Sequence, residues 1–153
     1  MATITDIALM LSAAVLGIAA LWHFYWAFGG TKGLIVAVPE TPAGHDGTGG
    51  GPVFKPSPLA TILVAVAITS IAALYAAIAS GTFNATGYTR WAGLSAGALG
   101  LVFIVRAIGD FNYVGFFKRR TGTLFADADS RYFSPLCLFL GASGLLAAAT
   151  RYI

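Results

Sequence analysis

The chain has 153 residues, 58% of them hydrophobic and only 10% charged, with a formal net charge of +3. A soluble domain carries about 25% charged residues, so this composition excludes an ordinary water-facing globule and belongs to the membrane class. The few basic residues lie beside apolar stretches, where they read as membrane topology signals and not as a nucleic-acid face, and a lone cysteine, Cys137, excludes an intramolecular disulfide or a Cys-x-x-Cys motif.

Four apolar stretches, at about residues 7–28, 59–80, 91–108 and 133–150, reach or approach the ~20 residues a helix needs to cross ~30 Å of hydrocarbon. The expected architecture is therefore all-α, a transmembrane four-helix bundle forming one membrane domain over the whole chain. Met1 to Asp6 contains no lysine or arginine and the first apolar run is too long for a signal core, so it reads as an uncleaved span. That span ends in Trp22-His23-Phe24-Tyr25-Trp26-Ala27-Phe28, an aromatic cluster suited to headgroup level, and Gly29-Gly30 stops it.

A long loop follows, about residues 29–57, with a glycine-rich run at 43–52 that is expected to be flexible. It lacks the preceding strand and following Gly-Lys-Ser/Thr of a phosphate loop. The second helix is predicted to open at Ser57-Pro58, serine capping and proline in the first turn. A short connection, Gly81 to Arg90, leads to the third helix. There Gly93-x-x-x-Gly97, with Ala96 and Gly100, would let another helix approach closely. After a second long loop, about residues 109–132, the fourth helix is predicted to open at Ser134-Pro135. Ala27-Phe28-Gly29 resembles Ala107-Ile108-Gly109, and Ser57-Pro58-Leu59 resembles Ser134-Pro135-Leu136, which admits two related helix hairpins.

Lys32, Lys55, Lys118, Arg119, Arg120 and Arg131 flank the long loops, whereas Arg90 and Arg151 lie on the side of the termini. The positive-inside rule then places both long loops in the cytoplasm and both termini outside. At the cytoplasmic ends the polar residues gather at one depth. His23 and Trp26 are one turn apart on the first helix. Arg106 is expected to share a face with Asp110 and pair with it, and Tyr132, Ser134 and Cys137 mark the start of the fourth helix. With the helix N-termini at Pro58 and Pro135, these would form a pocket for a phosphate or carboxylate. Candidate ligand-binding residues are His23, Trp26, Arg106, Asp110, Tyr113, Tyr132 and Ser134. Each has a plainer reading: Arg106 as a paired interfacial cation, His23 as a hydrogen-bonding interfacial residue, Cys137 as packing. A bis-histidine haem would need a second histidine at this depth, and the other one, His45, falls in the glycine run. No metal set is evident, and no cofactor is specified.

The densest signal is Gly109-Asp110-Phe111-Asn112-Tyr113-Val114-Gly115-Phe116-Phe117-Lys118-Arg119-Arg120. Aromatics followed by three cations suit a segment in the headgroup plane, with Lys118, Arg119 and Arg120 as candidate headgroup contacts. Arg106 to Lys118, followed by Arg131-Tyr132-Phe133-Ser134-Pro135-Leu136-Cys137, resembles a bacterial family of small four-span membrane proteins classed as a domain of unknown function. His23-x-x-Trp26-Ala27-x-Gly29-Gly30 is similar to its first-span motif, while Gly44 to Pro52 has no counterpart. The resemblance implies four spans and a bacterial inner-membrane location, and no activity.

Among functions, the pattern favours a non-enzymatic membrane protein that binds a lipid or small anionic ligand at the cytoplasmic side, or an accessory subunit of a larger complex. It lacks paired intramembrane carboxylates and a nucleophile with an evident base. Membrane lipids, a second copy or a larger membrane complex are the expected partners. The alternative is an intramembrane enzyme acting on a lipid-borne or quinone-like substrate, with His23 as acid or base and Arg106 binding an anionic group. A transporter or channel comes third, since four helices are too few for a pore in a monomer.

Overall fold

The computed structural model describes residues 2–41 and 50–152, so His45 and most of the glycine run lie outside the described residues. In chain order the elements are α1 (Ile4–Ala27), α2 (Leu34–Ala37), β1 (Glu40–Thr41), β2 (Gly51–Pro52), α3 (Pro58–Ala79), α4 (Thr89–Ile108), α5 (Leu124–Ala128), a π-helical turn (Asp129–Phe133) and α6 (Ser134–Tyr152). Among the described residues four helices are long and apolar enough to cross a membrane: Ile4–Ala27, Pro58–Ala79, Thr89–Ile108 and the composite Leu124–Arg151. The chain is an all-α, multi-pass membrane protein. Most large side chains on the outside of its bundle are apolar, as a lipid solvent requires.

Local chemistry sets the helix starts. α1 begins three residues earlier than the hydropathy suggests. Thr3 Oγ1 accepts from the Asp6 N–H at 3.2 Å, and the Asp6 carboxylate accepts from the Thr3 N–H at 2.9 Å. This capping box satisfies two otherwise orphan donors and draws Asp6 into the first turn. α3 opens as its sequence predicts, with Ser57 Oγ accepting from the Ala60 N–H at 3.2 Å and Pro58 in the first position.

The fourth span departs from expectation. It starts at Leu124, not at residue 133, with Thr123 Oγ1 accepting from the Ala126 N–H at 3.1 Å. Ser134-Pro135 therefore lies inside a continuous helix, and no helix N-terminus points from Pro135. The π turn makes this tolerable. Ser134 N–H reaches back five residues to the Asp129 carbonyl, widening the helix where the Pro135 ring would otherwise meet the Arg131 carbonyl.

α1 packs along α3 and α4 along α6, and weaker α3–α4 and α1–α6 contacts close the ring. The two Ser-Pro-Leu segments are thus not equivalent: one caps a helix, the other sits within one. The α4–α6 seam uses the small residues singled out in the sequence. A Cβ built on Gly100 would lie 2.7 Å from the Gly141 carbonyl oxygen, and one on Gly97 2.7 Å from the Ala148 Cβ. Small residues let these backbones come within direct contact, which is how helices associate without a hydrophobic driving force. Tyr75 of α3 is fully buried and donates its hydroxyl to the Leu140 carbonyl at 3.3 Å, joining the two hairpins. On the face carrying the termini, Arg151 pairs with Asp6 and ties α6 to α1.

Candidate functional site

The densest polar arrangement lies on the opposite face, between the end of α4 and the start of the fourth span. Arg106 occupies the last turn of α4, where a cation complements the partial negative charge of the helix end. Gly109, at φ +97°, then turns the chain out of the helix. Asp110 is thereby carried away from Arg106, and the expected Arg106–Asp110 pair does not form. Asp110 Oδ1 instead accepts from the backbone N–H groups of Asn112, Tyr113 and Val114 at 2.9, 2.7 and 2.9 Å. Burial pushes its carboxyl up, but the donors of Val114, Asn112 and Tyr113 outweigh this and hold it below the ordinary carboxylate range.

That turn folds the loop back onto the helix end. Phe116 N–H donates to the Ala107 carbonyl at 2.8 Å, satisfying an acceptor that α4 leaves open. The fit depends on Gly115, at φ +90°, where a Cβ would run into Gly109 and the Ile108 carbonyl. Phe111 sits at φ +61°, a costly conformation for a bulky side chain, held here by the Asp110 turn.

Everything then converges on Asp129, the first residue of the π turn, whose side chain has no exposed surface. Its Oδ1 accepts from Arg106 Nη2 at 2.7 Å. Its Oδ2 accepts from the Gly115 N–H at 2.8 Å, Lys118 Nζ at 2.9 Å and Ser134 Oγ at 3.2 Å. A buried carboxylate is tolerable only when paired and hydrogen-bonded, and four donors meet that requirement. Lys118 is itself only 3% exposed. Its three ammonium protons have three acceptors: Asp129, the Gly115 carbonyl at 2.9 Å and Ser130 Oγ at 2.6 Å. Lys118 accordingly faces inward and is not available to headgroups, because the buried Asp129 carboxylate draws it under the loop. Two cations around one anion leave the centre with an excess positive charge. Arg106 carries it outward: its side chain is 31% exposed, yet its Nη1 is buried and has no hydrogen-bond partner among the described residues.

The other candidates lie around this centre. Ser134 belongs to it through Asp129. Tyr113 is half-buried under the Arg120 guanidinium, 5.0 Å from its ring centroid, and Arg119 is exposed. Tyr132 is exposed and lines an open concavity of about 570 Å³ with Asp127, Ser130 and Arg131. His23 and Trp26 find their partners locally. His23 Nδ1 donates to the Ala19 carbonyl at 2.8 Å, and Trp26 Nε1 donates to the Lys32 carbonyl at 2.9 Å. Their rings meet edge-on at 5.1 Å. Cys137, one turn beyond Ser134, is half-buried in α6.

Asp129 is the residue that sequence reasoning missed. The signal was available as an accounting demand: a cation inside a span needs a counter-ion, and three acids flank the second long loop, namely Asp110, Asp127 and Asp129. Proximity along the chain pointed to the wrong one. Neither the curated proteins nor the solved structures contain a match to this chain. Residues 16–143, which take in the first-span aromatics, the Arg106–Lys118 loop and Asp129, match the family described as Protein of unknown function (DUF3995), and the chain belongs to that family.

Proposed function

We propose that this is a non-enzymatic membrane protein that binds an anionic group, phosphate or carboxylate, at Arg106 on the long-loop face. The carrying observation is the half-committed guanidinium: Nη2 is held by Asp129 while Nη1 is buried without a partner among the described residues. An unmatched buried donor is expensive, and a planar fork fixed on one side presents the other in a set direction. Asp129 and Lys118 are saturated by one another and by the loop, so they act as the frame. Exposed Arg119, Arg120 and Arg131 supply a positive surround for capture. The same cations favour a cytoplasmic long-loop face in a bacterial inner membrane.

The test is native mass spectrometry of the protein extracted from its own membrane in mild detergent, compared with Arg106→Gln. A defined added mass that disappears in the variant supports the proposal. A lipid mass identifies the source as a headgroup, and a small mass as a free anion. Co-purifying polypeptides with no small adduct would replace it with an accessory-subunit role. An adduct unchanged in Arg106→Gln would overturn the assignment to Arg106.

A further inference from the structure

The outer face of α1 carries a second feature, separate from Arg106. Ile18, Leu21, Trp22 and Tyr25 recur at the i, i+3, i+4, i+7 spacing that aligns side chains in one stripe, about 10 Å long. All four are exposed. Beyond the helix end Lys32 closes the stripe, and these five residues line an open groove of about 400 Å³.

The position of Lys32 is fixed by the aromatics. Its carbonyl accepts from Trp26 Nε1 at 2.9 Å, and its N–H donates to the Tyr25 hydroxyl at 3.4 Å. The Tyr25 ring in turn lies over Gly30, where a Cβ would collide with it, and meets Trp22 edge-on at 5.6 Å. The backbone of a cation is thereby pinned at the end of an apolar, aromatic-walled groove. Aliphatic side chains lie toward the span interior, amphipathic rings next, and positive charge outermost. This is the polarity sequence of an anionic glycerophospholipid read from chain to headgroup.

We infer that this groove holds one anionic phospholipid of the surrounding bilayer, its acyl chain along Ile18, Leu21 and Trp22 and its phosphate at the Lys32 ammonium. A lipid that merely coats the bundle exchanges without regard to headgroup, whereas a lipid seated here is selected by charge.

The test uses the whole purified protein in detergent, titrated with phosphatidylglycerol or with phosphatidylcholine of the same chains and read by native mass spectrometry. Wild type retains one phosphatidylglycerol at about fivefold lower lipid concentration than phosphatidylcholine, the ratio expected for one lysine beside an anionic headgroup. Lys32→Gln abolishes that preference, Lys32→Arg keeps it, and Arg106→Gln leaves this equivalent in place. An adduct at Arg106 behaves in the opposite way, so the two sites fail independently. Lys32 is exposed, and its substitution does not challenge the fold. Equal retention of the two lipids by wild type, or a preference unchanged in Lys32→Gln, overturns the inference. So does a dimer that Trp22→Ala dissociates, which would assign the groove to a second copy of the chain.

Discussion

Replacing Asp129 by asparagine changes almost no volume and removes one charge, so it isolates what the carboxylate does. In the native centre two oxygens accept four hydrogen bonds, two of them from cations. Asparagine offers one acceptor oxygen and an NH2 group with two donors, so either Arg106 or the Gly115–Lys118–Ser134 group meets a donor head-on. Removing one partner of a buried ion pair costs about 3–5 kcal/mol, because the other charge is stranded. Lys118, 3% exposed, bears that cost in full, whereas Arg106, 31% exposed, can turn toward water. The expected loss is therefore near the lower end, about 3 kcal/mol, or roughly two decades in the unfolding equilibrium. It is measurable by reversible unfolding in mixed micelles followed by tryptophan fluorescence. Lys118→Met in the Asp129→Asn background removes the stranded cation, so the double variant should be at least about 1 kcal/mol more stable than additivity predicts. An Asp129→Asn loss within about 0.5 kcal/mol, the range of a surface change, or strict additivity of the pair, would refute the reasoning.

Other outcomes follow from the same geometry. Gly100→Ala drives a Cβ to 2.7 Å from the Gly141 carbonyl oxygen and 3.1 Å from the Leu145 nitrogen. It should cost about 1–3 kcal/mol in the same unfolding assay. Tyr75→Phe removes only the bond to the Leu140 carbonyl and should cost about 1 kcal/mol. For Asp110, a lowered folded-state value means that its contribution is complete above the unfolded carboxylate pKa of about 3.9 and is lost as pH falls through the lower folded value. Amide exchange at Asn112, Tyr113 and Val114, corrected for its intrinsic pH dependence, should accelerate only below that pH. In Asp110→Ala it should be fast throughout.

The spans were legible because a bilayer imposes a length and a polarity that sequence displays directly. Caps were legible where a single residue decides them, as at Ser57. The Gly93–Gly100 seam followed from residue size alone. What escaped had a common cause: it depended on which backbone hydrogen bonds a loop could make with itself. Asp110 looked like the partner of Arg106 as long as α4 was imagined to continue. Gly109 ends the helix, and the carboxylate is then captured by its own loop. Lys118 looked like one of three equivalent surface cations, and only the placement of Asp129 distinguishes it from Arg119 and Arg120. Ser134-Pro135 carries the same letters as Ser57-Pro58, and the π turn ahead of it removes the need for a helix start.

That π turn also sets the chain at odds with its own local preference. A π turn is an α-helix holding one residue too many, so deleting one residue between Asp129 and Phe133 would restore a regular helix. It would also rotate everything on the N-terminal side by about 100° relative to α6, swinging the carboxylate away from Arg106, Lys118 and Ser134. The shortened chain would contain the better helix and the worse protein. The extra residue acts as a phase setting. It lets one continuous span present an apolar seam to α4 over most of its length and still aim a single acid at the polar centre.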